Sequence, residues 1–127
     1  MEITTRMEFD SGHRIPNHKS VCKNLHGHRY AIEVTVKGEI GEQTHESDFG
    51  MVMDFKDAKN LVKKVIVDEW DHAVIAYEKD LEVSSFRNTL DNHKTVILKR
   101  VPTAENMALT ALELLSSAFN NEFGDLI

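Results

Sequence analysis

Three histidines stand where their imidazoles can share one ion. His26 and His28 flank Gly27 in a segment that alternates, with Tyr30, Ile32, Val34 and Val36 continuing their parity. In a strand, residues i and i+2 point the same way, so both rings project from one face. Gly27 leaves the opposite face bare and open to close approach by another chain element. Residues 3–13 alternate in the same manner, with Ile3, Thr5, Met7, Phe9 and Ser11 leading to His13 on one parity. Consecutive strands usually pair, which puts His13 on the equivalent face of an antiparallel neighbour. Three neutral imidazoles with one coordination position left open describe a catalytic zinc site. Imidazole suits zinc, although the ligands alone do not separate it from another divalent ion. The other reading is three unrelated histidines at strand ends.

Further reactive side chains accompany them. Cys22 sits four residues before His26. A thiol beside a dication and histidines has a lowered pKa and works as a base or nucleophile; away from them it is an inert loop cysteine. Asp71 precedes His72, and such a carboxylate fixes a histidine's tautomer and lets it relay protons, although adjacent side chains often diverge. Glu105 falls in the first turn of a helix, where a negative charge suits the macrodipole with or without a further role. His18, His45 and His93 fall in polar segments and read as solvated.

The elements that must position these groups follow from the periodicities. Beyond the two strands, residues 14–25 read as a loop and residues 38–50 as a polar connection. Asp54 is a candidate N-cap, and Phe55, Ala58, Leu61, Val62, Val65 and Ile66 follow helical spacing as far as Trp70. Residues 71–75 read as a turn or short helix. The charged stretch 79–93 reads as a surface segment with a short helix. Residues 95–101 are rich in β-branched types and read as a strand ending at Pro102. Thr103 then caps a second long helix with an apolar stripe of Ala104, Met107, Ala108, Ala111, Leu112, Leu115 and Phe119, ended by Gly124. Strand, strand, helix, strand, helix predicts an α+β domain: an antiparallel sheet with helices packed on one face.

Composition narrows the classes. A chain of 127 residues is one compact domain, able to bury roughly two-thirds of its unfolded surface without disulfide or structural metal. Its single cysteine removes any internal disulfide framework and the need for an oxidising compartment. The balance of 15 Lys+Arg against 21 Asp+Glu gives −6, against a nucleic-acid partner, which calls for a basic face. No apolar run approaches the ~20 residues that span a bilayer. The segment MEITTRMEFD is acidic and alternating, unlike a signal peptide. The expected location is the cytoplasm.

Taken together, MEFDSGHRIP at 7–16, CKNLHGHRY at 22–30, GMVMDFKDAK at 50–59, WDHAVI at 70–75 and PTAEN at 102–106 resemble the 6-pyruvoyl-tetrahydropterin synthase family. The Cys-x3-His-Gly-His spacing is similar to its bacterial branch, the 6-carboxy-5,6,7,8-tetrahydropterin synthases of the queuosine pathway; the animal-type pyruvoyl synthases have a longer gap. The resemblance implies a T-fold whose subunits assemble into a β-barrel, as a homo-oligomer of hexameric or tetrameric size. It implies zinc on His13, His26 and His28 and 7,8-dihydroneopterin triphosphate as substrate. Cys22 would abstract a proton from the substrate side chain, Asp71 and His72 would relay protons, and Thr103 and Glu105 would contact the pterin. The expected product is 6-carboxy-5,6,7,8-tetrahydropterin, with loss of triphosphate and acetaldehyde. The alternatives are a 6-pyruvoyl product and a non-catalytic pterin- or metal-binding protein of the same fold. Arg14, Lys19, Lys23 and Arg29 flank the motif as possible triphosphate partners. The family's last strand, with its pterin-gripping Glu, has no counterpart in residues 1–127, so the domain reads as a T-fold lacking that strand.

Overall fold

The computed structural model describes residues 1–41 and 49–124. Two long strands, β1 (Glu2–His13) and β2 (His26–Lys37), pair antiparallel along their whole length, from Glu2 opposite Lys37 to His13 opposite His26. The period-two pattern fixes this register, because a one-residue slip would turn every apolar side chain away from the core. The helical layer begins with α1 (Phe55–Val62), capped by the Asp54 side chain, which accepts the Lys56 N–H at 2.8 Å. It passes through a π-helical segment, Lys63–Val67, into α2 (Asp68–Trp70). Here Val62, Ile66 and Trp70 are all buried. The second long helix, α4 (Ala104–Phe123), starts at Thr103, whose hydroxyl accepts the Asn106 N–H at 3.1 Å, and ends at Gly124 with a φ of 76°. Of its expected stripe, Met107, Ala111, Leu115 and Phe119 are buried in one core with Phe9 and Val36 of the sheet, whereas Ala104, Ala108 and Leu112 are exposed because the helix buries a narrower face than the spacing suggested. The helices therefore cover one face, as expected for an α+β domain.

The sheet is mixed, which corrects the antiparallel expectation. The segment 71–75, expected as a turn or short helix, instead runs into β3 (Ala73–Tyr77). The strand order is β2-β1-β3-β4. The cause lies in the path of the chain. Gly38 bonds back to Met1 at the start of β1, whereas His72 donates its N–H to the Asp10 carbonyl near the end of β1, at 2.6 Å. The α1–α2 stretch thus carries the chain along β1's own direction, and β3 joins Ser11–His13 in parallel. A parallel pair needs a crossover. Residues 78–94 supply it through α3 (Leu81–Arg87), and β4 (Thr95–Leu98) pairs in parallel with β3. The expected strand 95–101 is paired only over its first four residues. The loop at 14–25 contains a 3-10 turn at Val21–Lys23. His45, Asp125, Leu126 and Ile127 lie outside the described residues.

Candidate metal centre and active site

The hairpin register delivers the three histidines to one end of one face. His13 lies directly opposite His26, and Ser11 opposite His28. The ring centroids of His13 and His26, and of His26 and His28, are each 4.7 Å apart; those of His13 and His28 are 5.1 Å apart. One ligating atom from each of the three lies within 4.8 Å of the others. Burial grades across the cluster, from His13 inside through His26 to an exposed His28.

The hydrogen bonds decide what this cluster is for. His13 Nδ1 donates to the Pro102 carbonyl at 2.7 Å, and His26 Nδ1 donates to the Asn24 carbonyl at 2.6 Å. Each bond fixes the tautomer that leaves Nε2 as a bare lone pair, the usual outer-shell arrangement of a metal-binding imidazole. His13 Nε2 is buried and has no protein partner. A buried polar atom left unpaired costs roughly 1–3 kcal/mol unless something occupies it. Burial is the main cause that lowers the His13 pKa below the ordinary 6.5, and the neighbouring His26 and His28 add to it against the opposing Pro102 bond. A neutral imidazole is the ligating form. The donor set therefore fits a zinc-type ion. Tyr30, on the same face, packs 5.6 Å from His28 and 6.0 Å from His13 between ring centroids. Its hydroxyl is also buried without a partner. Its position in the alternation gave the face, but nothing in the sequence marked the hydroxyl.

The other candidates fall into two groups. Cys22 lies in the 3-10 turn of the loop joining the two histidine-bearing strands; it is half-buried, and its carbonyl accepts the Ile15 N–H at 2.8 Å. It is not a member of the histidine cluster. Thr103 and Glu105 begin α4 just after Pro102, the residue that holds His13; Thr103 Oγ1 is used as the helix cap, and Glu105 is exposed in the first turn. Asp71 and His72 lie outside the cluster. His72 lines an open cleft of about 440 Å³ with Asp10, Gly12, Gly27, Arg29 and His93, and His28 of the cluster borders the same cleft. The strand residues Asp10, Gly12, Gly27 and Arg29 have the parity opposite to the histidine cluster. The two glycines face each other across the strands and leave the cleft floor without side chains.

The Asp71–His72 pair is nonetheless built as a unit. Asp71 Oδ1 accepts the Asp10 N–H at 2.9 Å, and Oδ2 accepts from His72 Nδ1 at 2.8 Å. The Asp10 N–H is the first cause that holds the Asp71 carboxyl below the usual range, followed by His72. His72 itself has a φ of 56°, in the left-handed region that a histidine adopts only when its surroundings impose it. His93 corrects the solvated reading. It is half-buried, bonded to Thr95 Oγ1 at 2.9 Å, and shares the cleft with His72. His18 bonds Ser20 within its own turn. Of the flanking cations, Arg29 is forked onto Asp10 at 3.1 Å for both contacts, and Arg14 is bound to Asp80. Lys19 and Lys23 are exposed on the Cys22 loop.

A hairpin that gathers three imidazoles at the foot of a capped helix makes this an α+β domain with a candidate metal site. The chain belongs to the 6-pyruvoyl tetrahydropterin synthase family, whose sequence profile matches residues 2–125. It is 38% identical over 109 residues to the 6-carboxy-5,6,7,8-tetrahydropterin synthase of Rickettsia bellii, covering 86% of this chain and 75% of that protein. It is 36% identical over 110 residues to the synthase of the same name from Haemophilus influenzae, covering 84% and 76%. An uncharacterised protein of Wolinella succinogenes superposes with a TM-score of 0.75 at 22% identity, over 95% of this chain and 86% of that one. The Caenorhabditis elegans 6-pyruvoyl tetrahydropterin synthase superposes with a TM-score of 0.62 at 25% identity, over 93% and 78%. The fold is the T-fold of that family. No helix among the described residues is long and apolar enough to cross a membrane.

Proposed function

We propose that this protein is a zinc-dependent lyase that converts 7,8-dihydroneopterin triphosphate and one water to 6-carboxy-5,6,7,8-tetrahydropterin, triphosphate and acetaldehyde. The observation that supports it best is the buried, unpartnered Nε2 of His13 beside His26 and His28, in a chain 38% identical to a synthase of that name. His13, His26 and His28 hold the ion, which when bound polarises the substrate's side-chain oxygens and acidifies the adjoining C–H. Cys22, on the loop between the two ligand strands, accepts the proton from that carbon. Asp71 orients His72 so that its free nitrogen gives and takes protons as the side chain is cleaved. Thr103 and Glu105 contact the pterin from the start of α4. Lys19 and Lys23 face the triphosphate, since Arg14 and Arg29 already carry carboxylate partners.

The placement of the Asp71–His72 pair supports an assembled site. It serves the sheet face opposite the histidines, so a site that combines it with Cys22 takes the pair from a second copy of the chain. This is the role we give to a homo-oligomer, a hexamer or tetramer closed as a β-barrel. Among the described residues, β1 has only β2 as a strand partner over residues 2–9. We place one further strand of the T-fold on that free edge. The expected setting is the cytoplasm.

The test is anaerobic incubation of the zinc-loaded protein with 7,8-dihydroneopterin triphosphate, with products read by mass spectrometry. A 6-carboxy product with acetaldehyde is expected. A 6-pyruvoyl product moves the protein to the sister activity, the one named for its C. elegans structural neighbour. No consumption with zinc bound leaves a pterin- or metal-binding protein.

A further inference from the structure

The inserted stretch at 79–93 is tied to the reactive loop through one buried ion pair. The Asp80 carboxylate is almost completely buried and receives a two-pronged contact from Arg14, Nε to Oδ2 at 2.8 Å and a terminal nitrogen to Oδ1 at 2.5 Å. Oδ1 also accepts the Val83 N–H at 3.4 Å and so caps α3. Glu82 lies farther from the same guanidinium, at 3.8 Å, and is exposed. On the other side, Arg14 directly follows the ligand His13. The next residue, Ile15, donates its N–H to the Cys22 carbonyl at 2.8 Å. The loop from 14 to 22 is therefore closed by one bond at its far end and by the Asp80 fork at its near end. A fork of this kind fixes both distance and plane, and a buried carboxylate that loses its cation is left uncompensated.

We propose that Asp80 is a positioning residue that sets the Cys22 thiol for proton abstraction, acting through Arg14 and the loop the arginine begins. The proposal rests on the role given to Cys22 above. Asp80→Asn keeps the size and the cap to Val83 but removes the charge that holds the guanidinium. A loop shifted by an ångström is enough to cost a large part of a rate. In Asp80→Asn, kcat falls about tenfold and KM stays within about twofold, because pterin contacts are untouched. Zinc content stays at that of the wild type. Cys22 is the chain's only cysteine, so alkylation by iodoacetamide reports it alone. Its rate rises about threefold or more as the loop opens. Asp80→Glu restores part of both effects, and Glu82→Gln leaves both within about twofold.

A purely structural Asp80 gives a lower melting temperature with kcat and alkylation rate of the folded variant at wild-type values, and that result overturns the proposal. If Asp80→Asn does not fold, Arg14→Lys keeps the charge while losing the fork, and unchanged kcat and alkylation there overturn it equally. If the wild type turns over no 7,8-dihydroneopterin triphosphate, the lyase reading fails on its own; the alkylation rates still decide whether Asp80 holds the Cys22 loop.

Discussion

At the open end of the hairpin, His13 turns a buried ring nitrogen toward two other imidazoles and gives it no partner. On the opposite face, Asp71 and His72 bond to each other and to the backbone of β1, and the histidine stands largely in solvent. The first site is incomplete by itself, because two of its rings are oriented by backbone carbonyls and the buried Nε2 of His13 has no partner. The second is complete but strained: its carboxylate is satisfied and its histidine is held at a positive φ. An unfinished donor set of this kind suits an ion, whereas a dyad whose carboxylate is already satisfied suits proton transfer, and the roles proposed above follow that difference.

The strongest way to break the contrast is to remove a ligand. His28→Ala should lose the ion and, with it, all measurable turnover; a variant that keeps one zinc per chain by elemental analysis contradicts the ligand set. Cys22→Ala should lower turnover by about 10³-fold with zinc content unchanged, since a base is lost but no ligand. Unchanged turnover there removes the role given to the thiol. Asp71→Asn should lower kcat by about 10²-fold with zinc unchanged, because His72 loses its orienting charge. A loss of zinc in that variant would mean that the two sites are one. The smallest effect is the pH response of the metal-free protein. Burial holds His13 below the ordinary 6.5, so the unfolded chain takes up its proton first as pH falls. The stability is present above 6.5 and declines below it, which denaturant melts at neutral and mildly acidic pH measure. His13→Gln should flatten that decline.

The legible parts were those governed by short periods. Parity alone placed His13, His26 and His28 on one face, and the observed register confirms that placement at each pair. Asp54 and Thr103 were readable as caps because capping is local, and both accept the expected backbone N–H. What escaped depends on partners distant in sequence. Ala73–Tyr77 is a short apolar run, and such runs do not reveal by period whether they are strand or helix. Its parallel pairing comes from where α1 and α2 deliver the chain. His93 sits in a polar segment, and only the pairing of Val74 with Thr95 brings it beside His72. Asp80 read as one charge among many; its burial follows from Arg14, which lies on another element altogether.

The π-helical segment Lys63–Val67 acts as a gear in the chain. Each residue of an α-helix turns the axis by about 100°, so a widened turn shifts the angular phase of everything after it. Downstream of this one lie Trp70, buried beneath the sheet, and then Asp71, whose N–H returns to Val67 at 2.8 Å. Winding residues 63–67 as regular α-helix, with none deleted, would reset that phase. Trp70 would swing out of the core, and the dyad would leave the cleft while every one of its atoms remained in the chain. In this domain the aim of the Asp71–His72 pair is stored as rotation in the helix that precedes it.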